Sequence, residues 1–372
     1  MEKLEDKTIV TNTAFGCTDC GADLKYKPGT TYLNCEYCGA ENQILHLDTK
    51  IEAFDFEEYI AKEAQLKTAN KACFIKCRTC GASSNLPPNI VSASCPYCTT
   101  PLLLEQAQEE EVLQPNSLLP FEIDSKEAKH KFKEWIGSLW FVPNTFKKAT
   151  LKFKHFNGVY IPFWIYNAYA NTQYIGQQGN YYYKTESYKA LEDGKKVTKT
   201  RQVKKTKWHS VKGMVTNFFE DRLKVATNSI PEKYINELDF WDLDALMPYN
   251  KNYISGFITE KYQIGLAESF ELLQADFEPE INNTIRKDIG GDTQRVVSKQ
   301  IKYTNVKFKH VLLPVYVCAY HYKGKVYQFL INGSTGDVQG KRPYSWLKIT
   351  LASFVALIII TIISITVYHY TK

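Results

Sequence analysis

Eight of the ten cysteines form two copies of one pattern, in which two Cys-x-x-Cys pairs stand fourteen residues apart. The first copy holds Cys17, Cys20, Cys35 and Cys38, and the second holds Cys77, Cys80, Cys95 and Cys98. Four thiolates close the tetrahedral shell of a zinc ion and leave no position open for a substrate. The spacing therefore predicts a duplicated zinc ribbon with two structural Zn²⁺ ions, the copies lying sixty residues apart.

Each Cys-x-x-Cys pair needs a tight turn that aims both sulfurs at one ion. Gly21, Gly39 and Gly81 follow three of the four pairs, where a positive φ lets backbone N–H groups turn toward sulfur. Thr99 holds the fourth position, so we expect that turn to be less regular. The copies also share Ala22 with Ala82, Pro28 with Pro88 and Tyr37 with Tyr97.

Two other uses of these cysteines compete with zinc. Disulfides are disfavoured because the first residues, Met-Glu-Lys-Leu-Glu-Asp, do not form a secretory signal, and because the two frames are identical. A rubredoxin-like iron site is the main alternative, although the short interval and the tandem copy favour zinc. Cys73 and Cys318 lie outside both frames, and we expect each to be a small buried hydrophobe.

The C-terminal region carries the other strong signal. The twenty residues from Ile349 to Tyr368 include no charge, and this is the length that a helix needs to cross a bilayer. A buried core helix is the alternative, but it would rarely lack polar positions for so long. Lys341, Arg342 and Lys348 precede the span and Lys372 follows it, so the positive-inside rule keeps the larger part cytoplasmic. We expect a tail-anchored, single-pass membrane protein whose C-terminus lies outside the cytoplasm, and reduced cysteines agree with that side.

Composition sets limits on the size of the core and on the partners. The chain has 372 residues, of which 44% are hydrophobic and 14% aromatic, enough for one sizeable core besides two ribbons too small to fold without metal. The formal net charge is +6 with the cysteines counted as neutral. Eight thiolates and two Zn²⁺ ions would lower this charge by about four, to about +2. The global charge therefore does not argue for a nucleic-acid partner.

The sequence divides into six segments of different composition. We predict a first zinc ribbon over residues 1–45, a helical spacer over 46–72, a second zinc ribbon over 73–104, a linker over 105–117, a cytosolic α+β domain over 118–345, and a transmembrane helix with its flanks over 346–370. Within the α+β domain, hairpin signals favour a mainly antiparallel, β-rich architecture. The fold class is thus multidomain.

Three helices are predicted outside the membrane span. The first follows the capping box of Asp55 and Glu58, the second follows Asp124, and the third runs from about Ala267 to Ile289. The third helix ends at Gly290, and Pro279 predicts a break or kink within it. The polar run from Glu105 to Glu111 is typical of a linker.

Two strand segments of the β-rich domain are similar to each other. Residues 152–155 and 307–310 both read Lys-Phe-Lys-His, and they precede Ile-Pro-Phe-Trp at 161–164 and Leu-Pro-Val-Tyr at 313–316. The match needs a gap of three residues, and it predicts two related strand units. Between them, Asp193-Gly194 predicts a hairpin turn.

One basic stretch, from Lys195 to Lys212, forms the return arm of that hairpin. Its candidate contacts for an anionic surface are Lys195, Lys196, Lys199, Arg201, Lys204, Lys205 and Lys207. A solvated edge strand, protected from aggregation by its charge, is the simplest interpretation. Anionic lipid headgroups and phosphate backbones are the functional alternatives, and the sequence does not choose between them.

Sequence motifs for catalysis are absent. The chain has no Gly-x-x-x-x-Gly-Lys-Ser/Thr loop for ATP, no Gly-x-Gly-x-x-Gly and no His-Glu-x-x-His. Acid pairs such as Glu57 and Glu58 fall on predicted helix surfaces, where solvation is the ordinary explanation. We therefore expect no enzymatic activity and no small-molecule substrate.

Four further motifs accompany the predicted ribbons. They are Ile161–Trp164, Asp288–Asp292, Tyr327–Gly333 and, before the membrane span, Arg342–Ser345. With the ribbons, they resemble the bacterial TFIIB-type zinc-ribbon membrane proteins over nearly the whole chain. Members of that family are labelled as related to primosomal protein N prime (replication factor Y) and to superfamily II helicases. The resemblance implies zinc at the eight cysteines and a role in membrane-stress assemblies, whereas the missing nucleotide loop argues against helicase activity.

Two functions are consistent with these features. The first is a membrane-anchored adaptor that recruits protein partners through its ribbons and its β-rich domain. The second is a membrane-tethered nucleic-acid-binding protein of replication or transcription, without helicase activity of its own. Because the ribbon loops carry few basic residues, we favour the adaptor.

Overall fold

The fold was analysed in a computed structural model, which describes residues 15–45, 51–67, 71–85, 92–103, 107–151, 156–192, 195–238 and 241–370. The helices are α1 (Phe56–Lys67), α2 (Ser125–Ser138), α3 (Asn144–Leu151), α4 (Glu232–Asn236), α5 (Leu266–Ile289) and α6 (Trp346–Tyr370). The strands are β1 (Leu24–Tyr26), β2 (Tyr32–Cys35), β3 (Glu41–Gln43), β4 (Phe54–Asp55), β5 (Lys71–Lys76), β6 (Ser83–Asn85), β7 (Ser92–Ser94), β8 (Pro101–Leu103), β9 (Ala107–Glu111), β10 (Ser117–Leu118), β11 (Asn157–Glu192), β12 (Lys195–Val225), β13 (Met247–Pro248), β14 (Ile258–Glu260), β15 (Thr293–Tyr322), β16 (Lys325–Asn332) and β17 (Val338–Gly340). We call residues 15–45 the first cysteine unit, and residues 71–85 with 92–103 the second cysteine unit.

Three long strands form the centre of a 12-stranded sheet. Strands β11, β12 and β15 contain 36, 31 and 30 residues, several times the usual strand length. Both β12 and β15 pair with β11 in antiparallel fashion. Parallel pairing joins β10 to β15 and β14 to β11, so the sheet is mixed. The β-rich, mainly antiparallel architecture predicted from the sequence is confirmed.

Alternation along the central strands separates the core into two sides. Tyr160 of β11 lies in a buried cluster with Cys17 of the first cysteine unit. Val159, its neighbour along the strand, lies in a different buried cluster with Cys77 of the second cysteine unit. Since neighbouring residues of a strand point to opposite faces, the buried cysteines of the two units lie on opposite faces of one sheet.

The three predicted helices are present, and their ends follow the expected local chemistry. The carboxylate of Asp55 accepts from the backbone N–H of Glu58 at 2.9 Å, and Asp124 caps α2. Helix α5 ends at Gly290, whose φ is +66°. It runs without interruption through Pro279, so the predicted break is not found.

Helix α6 begins beside the turn between α2 and α3. The Lys348 ammonium donates to the carbonyls of Trp140 and Val142, both at 3.0 Å, and to Asn144 Oδ1 at 2.8 Å. Its 25 residues are all at least partly exposed, and the helix is long and apolar enough to cross a bilayer. These contacts fix where a membrane anchor would leave the β-rich domain.

Several sequence predictions have a different outcome or lie outside the described residues. Part of the predicted linker forms β9, which pairs antiparallel with β5. The predicted turn residues Asp193 and Gly194 lie outside the described residues, although Glu192 and Lys195 on either side are paired. Residues 152–155 also lie outside them, so the first half of the proposed strand repeat is not described. Its other segments, 161–164 and 313–316, lie on the neighbouring strands β11 and β15.

Candidate metal centres

The first cysteine unit brings its four sulfurs together at the end of a three-stranded antiparallel sheet of β1, β2 and β3. The Sγ atoms of Cys17 and Cys38 lie 3.6 Å apart, and so do those of Cys20 and Cys35. A tetrahedron with metal–sulfur bonds of about 2.3 Å has sulfur–sulfur edges of about 3.8 Å. The four thiols therefore fit the shell of a tetrahedral ion such as Zn²⁺.

The second cysteine unit repeats this geometry in a different sheet context. The Sγ atoms of Cys77 and Cys98 are 3.5 Å apart, and those of Cys80 and Cys95 are 3.6 Å apart. Strands β5 and β6, which flank its first pair, belong to the 12-stranded sheet, whereas β7 and β8 form a separate two-stranded ribbon around its second pair. Both cysteine sets predicted from the sequence are thus assembled.

All four Cys-x-x-Cys turns have the same backbone hydrogen bonds. In each, the residue after the second cysteine donates to the carbonyl of the first cysteine at 2.9 Å. Gly21, Gly39 and Gly81 have φ between +74° and +79°, as expected. Thr99 also adopts a positive φ, +64°, so the prediction of a less regular fourth turn was wrong. Its hydroxyl lies 2.9 Å from His321 Nε2 on the sheet, a contact that glycine could not make.

The electrostatics of the clusters favour a bound cation. Backbone N–H groups of Cys20 and Asp19 lower the pKa of Cys17 to about 6. In the second cluster, a hydrogen bond from Cys95 lowers the pKa of Cys80 to about 5, while the same contact raises the pKa of Cys95. Four thiols this close cannot all ionise side by side, and a divalent ion removes that conflict by compensating the charge of every sulfur.

The two clusters differ in how far they are covered. In the first, Cys17 and Cys35 are buried but Cys20 and Cys38 are exposed. In the second, Cys77 and Cys95 are buried, and the other two cysteines are half-buried. Similar ligand shells are therefore embedded to different depths.

Tyr97 anchors the second unit to the β-rich domain. This side chain is fully buried, and its hydroxyl donates to Glu260 Oε2 at 2.5 Å. The Gln328 amide donates to the Tyr97 carbonyl at 2.7 Å from β16. Because Tyr97 lies between Cys95 and Cys98, the Cys-x-x-Cys turn itself contacts the β-rich domain.

Glu260 is the centre of a buried polar network beneath that turn. Its Oε1 accepts from the Thr227 hydroxyl at 2.7 Å, from Ser229 and from Gln263 Nε2 at 3.3 Å. Burial raises the pKa of Glu260 to about 7, against the opposing hydrogen bonds from Ser229, Tyr97 and Thr227. Glu260 was not predicted from the sequence, because a single acid on a short strand carries no local signal of its burial.

The first unit is anchored through its strand β1 and the loop that follows it. Tyr26 packs edge-on against Tyr253 with ring centroids 5.0 Å apart, and its hydroxyl donates to the Thr30 carbonyl at 3.0 Å. The backbone N–H of Gly29 donates to the Phe121 carbonyl at 2.9 Å. Tyr37, which corresponds to Tyr97, is 86% exposed. The turn between Cys35 and Cys38 consequently leaves its outer surface open.

The basic candidate residues all belong to β12, which pairs with β11 in the sheet as the predicted return arm of a hairpin. Lys196, Lys199, Arg201, Lys204 and Lys207 are exposed, and Lys205 lies 2.6 Å from Glu186. Of Lys195, only the backbone pairing with Glu192 is described. These residues are far along the strands from either cysteine cluster, so they form a separate surface.

Comparison with known proteins gives one relative without an assigned role. The chain is 26% identical over 349 residues to the uncharacterized protein YdjG of Bacillus subtilis (strain 168), which covers 90% of this chain and 92% of that protein. No protein-family model matches the chain, and no solved structure matches it. The similarity thus extends over most of both chains.

Proposed function

We propose that the protein is a membrane-anchored adaptor, in which two zinc ribbons with structural Zn²⁺ and a β-rich domain form the cytoplasmic part. The observation that carries this proposal is the contrast between Tyr37 and Tyr97, at corresponding positions of the two units. Tyr97 is buried against the β-rich domain, whereas Tyr37 is 86% exposed. The same type of surface is thus used internally in one ribbon and remains open in the other.

Structural zinc is supported by the chemistry of the donor set. Four thiolates at the separations found here satisfy Zn²⁺ and leave no coordination position for a substrate. Each unit is too small to bury a core of its own, so the metal would supply the folding free energy that holds its turns in place. This role needs no catalytic residue, and we propose that the protein is not an enzyme.

Anchoring in a membrane is supported by α6 and by the charges beside it. Lys341, Arg342 and Lys348 lie on the β-rich side of the helix, and Lys348 fixes the start of α6 against the domain. By the positive-inside rule, that side is cytoplasmic. Both cysteine units would then lie in the compartment where thiols stay reduced and available to metal.

The open surface of the first ribbon is suited to a protein partner. Tyr37 is amphipathic, with a ring for packing and a hydroxyl that can donate, which is why tyrosine is enriched at interfaces. Cys20 and Cys38 beside it are exposed, so a partner would also cover the metal shell. The internal precedent is Tyr97, whose ring is buried and whose hydroxyl donates to a carboxylate.

The experiment is quantitative capture of partners from detergent-solubilised membranes, with and without nuclease. The parent chain should retain a stoichiometric protein partner after nuclease treatment. The amount of partner captured by Tyr37→Ala should be lower by about tenfold, as expected for a hot-spot residue. Tyr344→Ala is the matched control, because Tyr344 is also an exposed tyrosine, at 60%, but lies far from the cysteine units along the chain. Recovery of no partner, or equal retention by both variants, would reject the adaptor surface.

A further inference from the structure

The positive charge of the chain is concentrated in one structural element. We define the arm as residues 180–207, the distal parts of β11 and β12. The arm contains nine of the chain's 46 Lys and Arg but only three of its 40 Asp and Glu, so its net charge is +6. The remaining 37 basic and 37 acidic residues balance. The whole formal charge of the protein therefore lies on this arm.

The arm extends beyond the rest of the sheet as a two-stranded ribbon. Strand β15 begins at Thr293, opposite Gly179, and past that point β11 pairs with β12 alone. The pairing continues from Asn180 opposite Lys207 to Glu192 opposite Lys195. At about 3.3 Å per residue, the arm is about 40 Å long.

Cations lie on both faces of the arm. Residues directly opposite each other share a face, so Lys184, Lys199, Arg201, Lys205 and Lys207 belong to one face. Lys189, Lys196 and Lys204 belong to the other. Glu186 is the single acid between residues 180 and 191, and residues 195–207 contain none. The arm is thus basic on both faces along its length.

Exposed tyrosines lie among these cations on β11. Tyr182, Tyr183 and Tyr188 are 46%, 64% and 42% exposed. The Lys204 ammonium lies 3.3 Å from the ring centroid of Tyr181, which holds that cation against the ribbon. Phenol hydroxyls and ammonium groups are both donors, and phosphate oxygens are acceptors that both can reach.

We propose that the arm is a binding site for double-stranded nucleic acid, held through the phosphate backbone. A two-stranded β-ribbon is one of the elements that the major groove, about 12 Å wide, can admit. A ribbon that enters the groove edge-on, with one strand foremost, has a phosphate backbone along each of its faces, which matches cations on both faces. This site is additional to the proposed adaptor surface and does not depend on it.

The geometry argues against the anionic bilayer as the target of the arm. A bilayer surface would meet one face of the ribbon and leave the cations of the other face unused. In addition, strand β15 extends about 100 Å from Thr293, at the base of the arm, to Tyr322. The Tyr322 hydroxyl contacts Thr145, beside the start of α6. The length of β15 thus separates the base of the arm from the helix that would enter the membrane.

The test uses the full chain in nanodiscs of neutral lipid and a fluorescently labelled, mixed-sequence DNA duplex of about twenty base pairs, longer than the arm at 3.4 Å per base pair. Binding is followed by anisotropy across a series of salt concentrations. We expect the logarithm of the affinity to fall linearly with the logarithm of salt concentration, with a slope of about −0.9 for each phosphate contacted.

Substitutions in the arm should change that slope. The triple variant Lys204→Gln, Lys205→Gln and Lys207→Gln should reduce the slope by about three, and the corresponding triple Glu variant should also weaken binding on the order of 100-fold at low salt. The matched control is Lys126→Glu, Lys133→Glu and Lys251→Glu, at exposed lysines outside the arm. It should leave both the slope and the affinity within about twofold of the parent.

Several results would overturn the proposal. The first is that the parent shows no salt-sensitive binding to the duplex. The second is that the control variant loses as much affinity as the arm variant. The third is that a single strand of the same length binds more tightly than the duplex. Flotation with phosphatidylglycerol vesicles in the absence of duplex binding would assign the arm to a membrane instead. If polyglutamate displaced the labelled duplex as well as unlabelled duplex does, the arm would be assigned to an acidic protein partner. Because Tyr37 is not in the arm, none of these results bears on the adaptor surface.

Discussion

The two cysteine units have the same ligand geometry but different relations to the rest of the protein. Sulfur–sulfur distances are 3.6 Å in the first and 3.5 to 3.6 Å in the second. The tyrosine at the corresponding position is nevertheless exposed in one, Tyr37, and fully buried in the other, Tyr97. Local sequence therefore determines how the four sulfurs are brought together, and the surrounding fold determines what each Cys-x-x-Cys turn can still contact.

The difference arises from how each unit joins the sheet. The first unit forms its own three-stranded sheet and contacts the domain mainly through Tyr26 and the loop after it. The second unit contributes β5 and β6 to the central sheet, and β6 pairs with β14, the strand that ends at Glu260. One unit is thus attached to the β-rich domain, whereas the other is part of it.

Removing one metal ligand from each unit should give the largest difference between them. Both Cys35→Ser and Cys95→Ser should lower bound zinc from about two to about one equivalent per chain. Apparent binding free energies of structural zinc are on the order of 10 kcal/mol, so each affected unit should unfold. In Cys95→Ser the β-rich domain should also become sensitive to protease, because β5 and β6 are lost from its sheet.

Metal analysis and limited proteolysis of the purified full chain would measure these effects. Cys73→Ser is the control, since Cys73 lies outside both clusters. The comparison fails if Cys35→Ser exposes the β-rich domain to protease as much as Cys95→Ser does. A loss of both zinc equivalents in either variant would show that the two sites are not independent.

Truncating the two corresponding tyrosines should give the next largest difference. Tyr97→Ala should lower the free energy of unfolding by about 3 to 5 kcal/mol, because it empties a fully buried site. Tyr37→Ala should change the free energy of unfolding by no more than about 0.5 kcal/mol. Denaturant unfolding of the zinc-loaded protein would measure both values. Equal destabilisation would contradict the asymmetry on which the adaptor proposal rests.

The sequence predicted those parts of the molecule that depend on short-range patterns. The cysteine ligands, the caps of α1 and α2, the hairpin of β11 and β12 and the apolar helix α6 all follow from neighbouring residues. Thr99 is an instructive failure, because its preference against positive φ is outweighed by the same turn geometry that the three glycines adopt, with a contact to His321 added. Of the break or kink predicted at Pro279, the break is not found, since the surrounding helix continues through it.

Long-range packing was not predictable from the same patterns. The polar run that forms β9 has the composition of a linker, and only its pairing with β5 makes it a strand. In the same way, Tyr37 and Tyr97 hold the same position in the sequence frame, but only Tyr97 is buried, where its hydroxyl donates to Glu260, 163 residues away. Such partners leave no trace in local composition. The opposite placement of the two units on one sheet is likewise a property of the assembled strands.

The smallest expected effect concerns the pH dependence of stability, which should be specific to the second unit. Burial raises the pKa of Glu260 from 4.5 to about 7. A carboxyl whose pKa is higher in the folded state contributes stability that is complete below the unfolded pKa and is lost as pH rises through the folded pKa. Glu260→Gln removes this titration, so its free energy of unfolding relative to the parent should rise by about 2 kcal/mol between about pH 5.5 and pH 8.

Glu36→Gln, at the exposed carboxylate beside Lys25 in the first unit, is the matched control and should follow the parent curve. Denaturant midpoints across this pH range would measure the difference, and parallel curves for Glu260→Gln and the parent would show that the carboxyl beneath the second metal turn is not protonated in the folded state.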